Sequence, residues 1–565
     1  MKKYILIILS ALLFSCSEES LFELVESKHT GIDFVNRVID TDSLHVMNFE
    51  YIYNGAGVGV EDLNNDGRPD IVFAGNQESS RVYLNEGNFK FSDITSSFEE
   101  LNQGQWYSGV TFVDINNDGW NDVYLTCTAH DNSERRKNRF YINQGIQSDG
   151  SLLFRDMAES YGIADDSYTV TAAFFDYDRD GDLDLFLLNN YTNDRLSASY
   201  RPKITDGSAP NNDDLYRNNG DGTFSNVSRE SGIVFEGFSL GLALGDVNRD
   251  GYTDIYVSND YISNDLLYIN QGDGTFQNRI DAYLSYQSKS SMGNDLADIN
   301  NDGFPEIFTL DMMPEYYHLK KQTIGGFGYI YYISDAKYGY EHQYLRNMLH
   351  LHNGKIGDEM IPYSEVGQMM GIYQTEWSWS PLFADYDNDG DKDLIVTNGY
   401  PRDMTDKDWT NYKSEVVGSE ASPQNVISKM PAVKVVNCAF ENQGDLKFAK
   451  RSSEWFGENV SFSYGAAFAD LDGDGDLDYV VNNLNDEAFI YKNNTIEKGS
   501  EHGNFLRIIL KGEGANTSAI GAKVELWCQG NYQYQEHFSS RGYASSVDPV
   551  LHFGLSDHTM VDSLK

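Results

Sequence analysis

The chain has 565 residues, more than one hydrophobic core usually serves, so several domains or one large repeat array are expected. Its 87 acidic against 42 basic residues give a net charge of −45, which repels nucleic-acid phosphates and anionic membrane surfaces and excludes nucleic acid as a partner. Aromatic residues make up 13% of the chain, which excludes disorder, and 50 Gly against 11 Pro indicate many tight turns in a β-rich protein.

The chain opens MKKYILIILSALLFSC. Lys2 and Lys3 form a basic n-region, and the apolar run Tyr4 to Phe14 is too short to span a bilayer but suits a signal h-region. Leu13-Phe14-Ser15-Cys16 resembles a bacterial lipobox, and Ser17-Glu18-Glu19 resembles the acidic tag of surface lipoproteins of Bacteroidetes-type bacteria. Residues 1–16 are thus expected to be a lipoprotein signal, with Cys16 lipidated. The mature protein would be an outer-membrane lipoprotein exposed at the cell surface, touching the membrane through its anchor only. The other cysteines, Cys127, Cys438 and Cys528, lie far apart without CxxC spacing and read as small buried apolar residues.

One phrase then recurs seven times at intervals of 52 to 87 residues: DLNNDGRPD, DINNDGWND, DYDRDGDLD, DVNRDGYTD, DINNDGFPE, DYDNDGDKD and DLDGDGDLD. A small or apolar run precedes each copy and a β-branched or aromatic run follows it. A VYLNEG-like phrase and an FSDIT-like phrase come next. Each unit therefore reads as four short antiparallel strands, and the whole as an all-β, seven-bladed β-propeller over residues 21–494. The seventh unit lacks its fourth phrase, which appears instead at residues 22–32, so an N-terminal strand is expected to close the ring and remove its open edge.

The loop pattern is D-x-[D/N]-x-D-G-x-x-[D/E]. Position 1 is Asp62, Asp114, Asp176, Asp246, Asp298, Asp385 and Asp470; position 3 is Asn64, Asn116, Asp178, Asn248, Asn300, Asp387 and Asp472. Position 5 is Asp66, Asp118, Asp180, Asp250, Asp302, Asp389 and Asp474, and position 9 is Asp70, Asp122, Asp184, Asp254, Glu306, Asp393 and Asp478. Position 7 varies through Arg68, Trp120, Asp182, Tyr252, Phe304, Asp391 and Asp476, as suits a ligand that is a backbone carbonyl. Calcium takes six to eight oxygen ligands, and Gly at position 6 permits the tight turn. A single loop of this kind could be a metal-free Asp/Asn turn; seven in one context point to about seven Ca2+ sites. Position 12 is a strand residue in every copy, so these are not EF-hands.

The loops resemble the FG-GAP/VCBS repeats of integrin α-subunit propellers, a resemblance that implies calcium on one face of a seven-bladed ring. The tail, SAIGAKVELWCQG from Ser518 and GYASSVDPVLHFGLSD from Gly542, resembles the ASPIC/UnbV domain of cartilage-acidic-protein-like proteins, here residues 505–565. A Trp-Pro phrase that normally follows in that family is absent after Lys565, which implies a truncated sequence.

Catalytic motifs are weak. Gly237-Phe238-Ser239-Leu240-Gly241 spells GxSxG but begins a strand rather than a strand-to-helix elbow, and Gly55, Gly57 and Gly59 precede no helix. His342, His350 and His352 read as strand-face or surface residues. The reading is a non-enzymatic binding or adhesion module for a glycan or protein; the alternative is a calcium-dependent polysaccharide lyase or hydrolase. The ligand face is expected opposite the calcium loops, where insertions between strands two and three emerge in blades two, three, five and six. Trp106, Tyr329, Tyr331, Trp377 and Trp409 are the aromatic residues expected on that face, although packing between blades and inserts is the better reading for any single one.

Overall fold

The computed structural model describes residues 20–191, 199–323, 328–357, 359–416, 422–498 and 503–565. Cys16 and the signal segment lie outside these residues. Seven four-stranded antiparallel units are present among them. In blade one the strands are Val58–Glu61, Asp70–Phe73, Arg81–Asn85 and Phe91–Asp93. The first strands of successive units lie side by side around a ring, from Val58–Glu61 through Tyr107–Val113, Thr169–Phe175, Ser239–Gly245, Asn294–Ala297 and Ser378–Ala384 to Ser463–Ala469, which lies against Val58–Glu61 again. Alternating small and large apolar residues on these strands leave them buried on both faces, as expected of strands nearest a propeller axis.

The seventh sheet is completed from the other end of the chain. Phe22–Leu24 pairs antiparallel with Phe489–Asn493, Phe22 opposite Asn493. Phe22 is buried in an aromatic cluster, stacked 5.2 Å from Phe456 and edge-on to Tyr386 and Tyr491. The expected segment 22–32 is a strand only at its start; Ser27–Thr30 is a helical turn ending at Gly31, matching the turn Ala158–Tyr161 that ends at Gly162 in blade two.

The C-terminal domain is a small β unit in which Asn504–Ile508 pairs with Leu551–Ser556, and Lys523–Cys528 pairs with Asn531–Glu536 and Ser563–Leu564. It sits on the face that carries the Asp-rich loops. From it a hairpin, Ser540–Arg541 and Ser545–Ser546, enters the centre of the ring and joins the sheet of blade one through Gly59 and Ser546. Gly57 has its explanation here, since a Cβ on it would lie 1.6 Å from the carbonyl of Ala544; one on Gly55 would meet the Tyr464 ring and one on Gly59 the Phe112 ring, and on the neighbouring strand one on Gly465 would lie 2.6 Å from the Ser545 hydroxyl. Tyr543 is buried edge-on against Trp379. Arg541 grips Asp295 of blade five through Nε at 2.8 Å and Nη2 at 2.6 Å, and donates to the Phe383 carbonyl at 2.8 Å.

The opposite mouth of the channel is crossed by the N-terminal segment, whose short helix Glu50–Tyr53 packs Tyr53 against Tyr400 and donates from Tyr51 to Asp260 at 3.0 Å. The channel is thus filled from both ends by chain, and Val46, Ile52, Tyr53, Tyr543 and Ala544 belong to one buried cluster with Trp377 and Trp379. The three described cysteines are free and buried.

Removing one partner of a buried, bidentate pair leaves the other charge uncompensated, a loss on the order of 3 kcal/mol. Arg541→Ala should therefore lower the midpoint of denaturant unfolding and loosen the C-terminal domain from the ring. An unchanged midpoint would show that the hairpin is held by its backbone pairing alone.

Candidate functional site

All seven Asp-rich loops join the first and second strands, so they lie on one face. Position 1 curls the loop by accepting backbone N–H groups from positions 5 and 6: in loop one Asp62 accepts from Asp66 at 3.1 Å and Gly67 at 2.8 Å. Loops two, four, five and six repeat these bonds with Asp114, Asp246, Asp298 and Asp385. Position 3 accepts from the N–H of position 5, and position 5 from that of position 7.

Where position 3 is Asp, three carboxylates converge. Asp176, Asp178 and Asp184 have ligand oxygens within 4.8 Å of one another, as do Asp385, Asp387 and Asp393, and Asp470, Asp472 and Asp478. One oxygen each of Asp176, Asp182 and Asp476 is buried without a hydrogen-bond partner. Loops three, six and seven therefore hold like charges at close quarters and, in two of them, orphaned oxygens, a donor set that could hold a divalent cation. In the other four loops the Asn at position 3 turns its amide onto the carboxylate at position 5, as Asn64 does on Asp66 at 3.0 Å.

Position 9 has a second role that sequence reasoning missed. Its carboxylate takes the N–H of position 2 through one oxygen and the N–H of a third-strand residue through the other in every blade. The pairs are Leu63 and Asn85 on Asp70, Ile115 and Asn143 on Asp122, and Tyr177 and Asn218 on Asp184. They continue with Val247 and Asn270 on Asp254, Ile299 and His352 on Glu306, Tyr386 and Asn442 on Asp393, and Leu471 and Asn493 on Asp478. Burial outweighs these donors and pushes the carboxyls of Asp70 and Asp122 up to about 8 and that of Asp184 to about 9.

In six blades the third-strand residue then reaches across to the previous blade, whereas Asn218 of blade three donates to the Leu183 carbonyl of its own loop at 3.2 Å. Asn85 donates to the carbonyl of Leu471, Asn143 to Leu63, Asn270 to Tyr177, Asn442 to Ile299 and Asn493 to Tyr386, over 2.7–3.0 Å. Each acceptor is position 2 of the preceding loop, so a strut ties neighbouring loops together. In blade five the strut is His352, whose Nε2 meets the Val247 carbonyl at 3.2 Å while Nδ1 accepts the Gly354 N–H at 2.8 Å. Those partners require the neutral Nε2–H tautomer, and burial pushes its pKa down to about 4. The signal was present in the sequence as the Asn that ends the third phrase of six units, replaced by His352 in the fifth.

The opposite face departs from expectation. Trp106, Trp377 and Trp409 are buried rather than displayed. Trp106 is covered by Phe49 of the N-terminal segment, Trp377 lies flat on Tyr400 at 4.0 Å, and Trp409 donates its indole N–H to the Val426 carbonyl at 3.1 Å. These rings pack the channel mouth and the inserts. Tyr329 and Tyr331, by contrast, are 79% and 44% exposed. They begin the helix Tyr329–Tyr338 of the blade-five insert, which packs on the blade-three insert through Tyr200, whose hydroxyl donates to Asp335 at 2.6 Å. With Tyr332, Tyr344, Lys289, Asp335 and His342 they line a cavity of about 210 Å3. His342 stacks on Tyr332 at 3.8 Å and meets Asp335 at 3.4 Å, so it is neither a strand-face nor a free surface residue; His350 is buried on the strand Met348–Leu351 and His352 is buried just past its end. Ser239 of the GxSxG phrase opens a buried strand, and its hydroxyl faces Asp213 and Asn259.

FG-GAP-like repeats lie within the ring and an ASPIC/UnbV domain within the tail. The FG-GAP-like repeat model matches residues 62–125, 204–257 and 246–309, and the ASPIC and UnbV model matches residues 512–565. The chain is homologous to cartilage acidic protein 1 of Xenopus tropicalis, 25% identical over 521 residues, covering 88% of this chain and 68% of that protein. A T-cell immunomodulatory protein homolog of Plasmodium yoelii yoelii is 26% identical over 303 residues, covering 44% of this chain and only 41% of that relative's own length. Among solved structures, an Agrocybe aegerita lectin that recognises non-reducing terminal N-acetylglucosamine aligns with a TM-score of 0.38 and 15% identity over 75% of this chain and 88% of that one. A rhamnogalacturonan lyase aligns with a TM-score of 0.35 and 12% identity over 78% and 72%.

A buried strut amide whose loss strands two carbonyls costs about 1–3 kcal/mol. Asn442→Ala, which frees the carbonyls of Ile299 and Lys392, should lower thermal stability by that amount. Asn219→Ala, on an exposed turn, should leave it unchanged. Equal effects would deny the struts a role in holding the ring.

Proposed function

We propose that the protein is a calcium-braced, surface-anchored binding module, and that its ligand is a glycan seated in the tyrosine cavity of the blade-five insert. The loops hold Ca2+ through positions 1, 3, 5 and 9 and the carbonyl of position 7. Cys16 carries the lipid that presents the ring at the outer membrane.

The observation that carries the reading is the cavity itself. Exposed tyrosine rings offer flat apolar faces with polar tips, the composition that binding surfaces favour and that suits the C–H faces of a sugar. The Lys289 ammonium has only the Tyr261 carbonyl, at 3.4 Å, as a hydrogen-bond partner among the described residues, and Asp335 and His342 stand beside it to orient hydroxyl groups. The helix Tyr329–Tyr338 and the paired strands Gln287–Ser288 and Gln343–Tyr344 carry or flank these groups. A binding role is favoured over lyase or hydrolase chemistry because His342 is stacked and paired within the wall, and the tyrosines form an open platform.

The test is an oligosaccharide array probed with the calcium-loaded protein, followed by the Tyr329→Ala/Tyr331→Ala variant. Loss of about tenfold or more in affinity, some 1.4 kcal/mol, with unchanged melting is expected. Unchanged affinity in the folded variant would move the ligand elsewhere. Shortening of a bound glycan would establish the enzyme reading instead.

A further inference from the structure

The seven loops share one pattern but not one set of neighbours. In loop four, Lys523 of the C-terminal domain places its ammonium on Asp246 at position 1, whose side chain is almost wholly buried. The N–H of the same residue is held by Glu536 at 3.0 Å, so both sides of Asp246 are engaged by that domain. In loop seven, Arg507 Nη1 stands 2.7 Å from Asp470 at position 1, again almost wholly buried.

Loop seven carries a further cation. Lys492, one residue before the strut Asn493, contacts Asp472 and lies 3.1 Å from Asp474 and 2.5 Å from Glu497. Asp472, Asp474 and Glu497 form a carboxylate trio of their own beside the trio of Asp470, Asp472 and Asp478. Asp476, fully buried next to them, keeps one oxygen without a partner. An ammonium therefore occupies the outer half of this loop, where a metal ion would otherwise draw on the same oxygens.

Loop three differs. It has Asp at all five positions, yet no Lys or Arg nitrogen lies within 4.0 Å of its carboxylates among the described residues. Loop six has a cation of its own: the buried Lys392 ammonium acts on Asp385 and Asp391 while donating to the Asp298 carbonyl of loop five at 2.8 Å. The Arg68–Asp66 pair of loop one is an exposed pair within a single loop, screened by solvent.

Resting on the reading of these loops as calcium sites, we propose that Lys492, Arg507 and Lys523 are tethered cations that rank the loops. Loop three binds Ca2+ tightly. Loops four and seven bind it weakly, because a dication entering there shares a position-1 carboxylate with a protein cation and is repelled by it. Two of the three cations belong to the C-terminal domain. Calcium at loops four and seven and docking of that domain therefore oppose one another, and by linkage each weakens the other to the same degree.

The experiment is titration of the full chain with CaCl2, read by calorimetry and by native mass spectrometry, for the wild type, Lys492→Met and Arg507→Met/Lys523→Met. The wild type should show separate tight and weak classes. Lys492→Met should move one ion, and the double variant two, toward the tight class by about tenfold, an ordinary size for coupling between sites. Because the double variant could loosen the C-terminal domain, hydrogen exchange on the wild type supplies a second readout. The strands Asn504–Ile508 and Lys523–Cys528 should exchange faster once the weak class fills. Calcium uptake with identical isotherms in all three proteins, or exchange that slows as the weak class fills, would overturn the ranking while leaving the calcium reading intact. No uptake by any of them would overturn both.

Discussion

The structure turns on a buried carboxylate at the ninth position of each Asp-rich loop. Asp70, Asp122, Asp184, Asp254, Glu306, Asp393 and Asp478 each fasten the loop's second residue and the third strand of their own blade. In every blade but the third, the side chain of that third-strand residue then binds the second residue of the neighbouring loop. A charge placed under a strand end in this way is costly by itself. It becomes a stabilising feature when N–H donors surround it and a cation balances it from the loop side. Ring closure thus rests on these carboxylates, and a blade that loses its loop geometry loosens its grip on the next.

The C-terminal domain completes the ring rather than hanging from it. Its hairpin supplies backbone partners to the innermost strands, and Arg541 places a fixed cation beside Asp295 deep in the channel. Further out, Arg507 and Lys523 bring charge to the loops themselves. A chain of net charge −45 concentrates part of its scarce basic side chains at this interface. The face that carries the Asp-rich loops is consequently occupied by the protein's own tail, which leaves the opposite face, with its inserts, as the open surface.

Much of the fold was legible because a repeat announces itself: seven copies of one loop between the same strand phrases define the blades, and the displaced aromatic phrase at Phe22 marks the strand that pairs with Phe489–Asn493. What stayed hidden was contact across long sequence separations. Nothing local in GYASSVD says that Tyr543 and Ala544 enter a channel beside Gly57, near the other end of the chain. Trp106, Trp377 and Trp409 carry the composition of a binding surface, yet Phe49, Tyr400 and the helix Pro423–Ile427 cover them. Tyr329 and Tyr331 stay exposed on an insert helix whose packing against Tyr200 leaves them 79% and 44% open to solvent. The strut asparagines were visible as a repeated letter, but their role needed the geometry of two blades at once.

The central claim is that a divalent cation at the loops braces the ring, and thermal unfolding with and without a chelator addresses it most directly. Ligand that binds only the folded state raises its stability by mass action. The protein in millimolar CaCl2 should melt several degrees above the same protein in EDTA, with Mg2+ restoring little of the difference because it tolerates protein cages poorly. Superimposable melting curves in calcium and in EDTA would contradict the account and leave the loops as carboxylate turns held by hydrogen bonds alone.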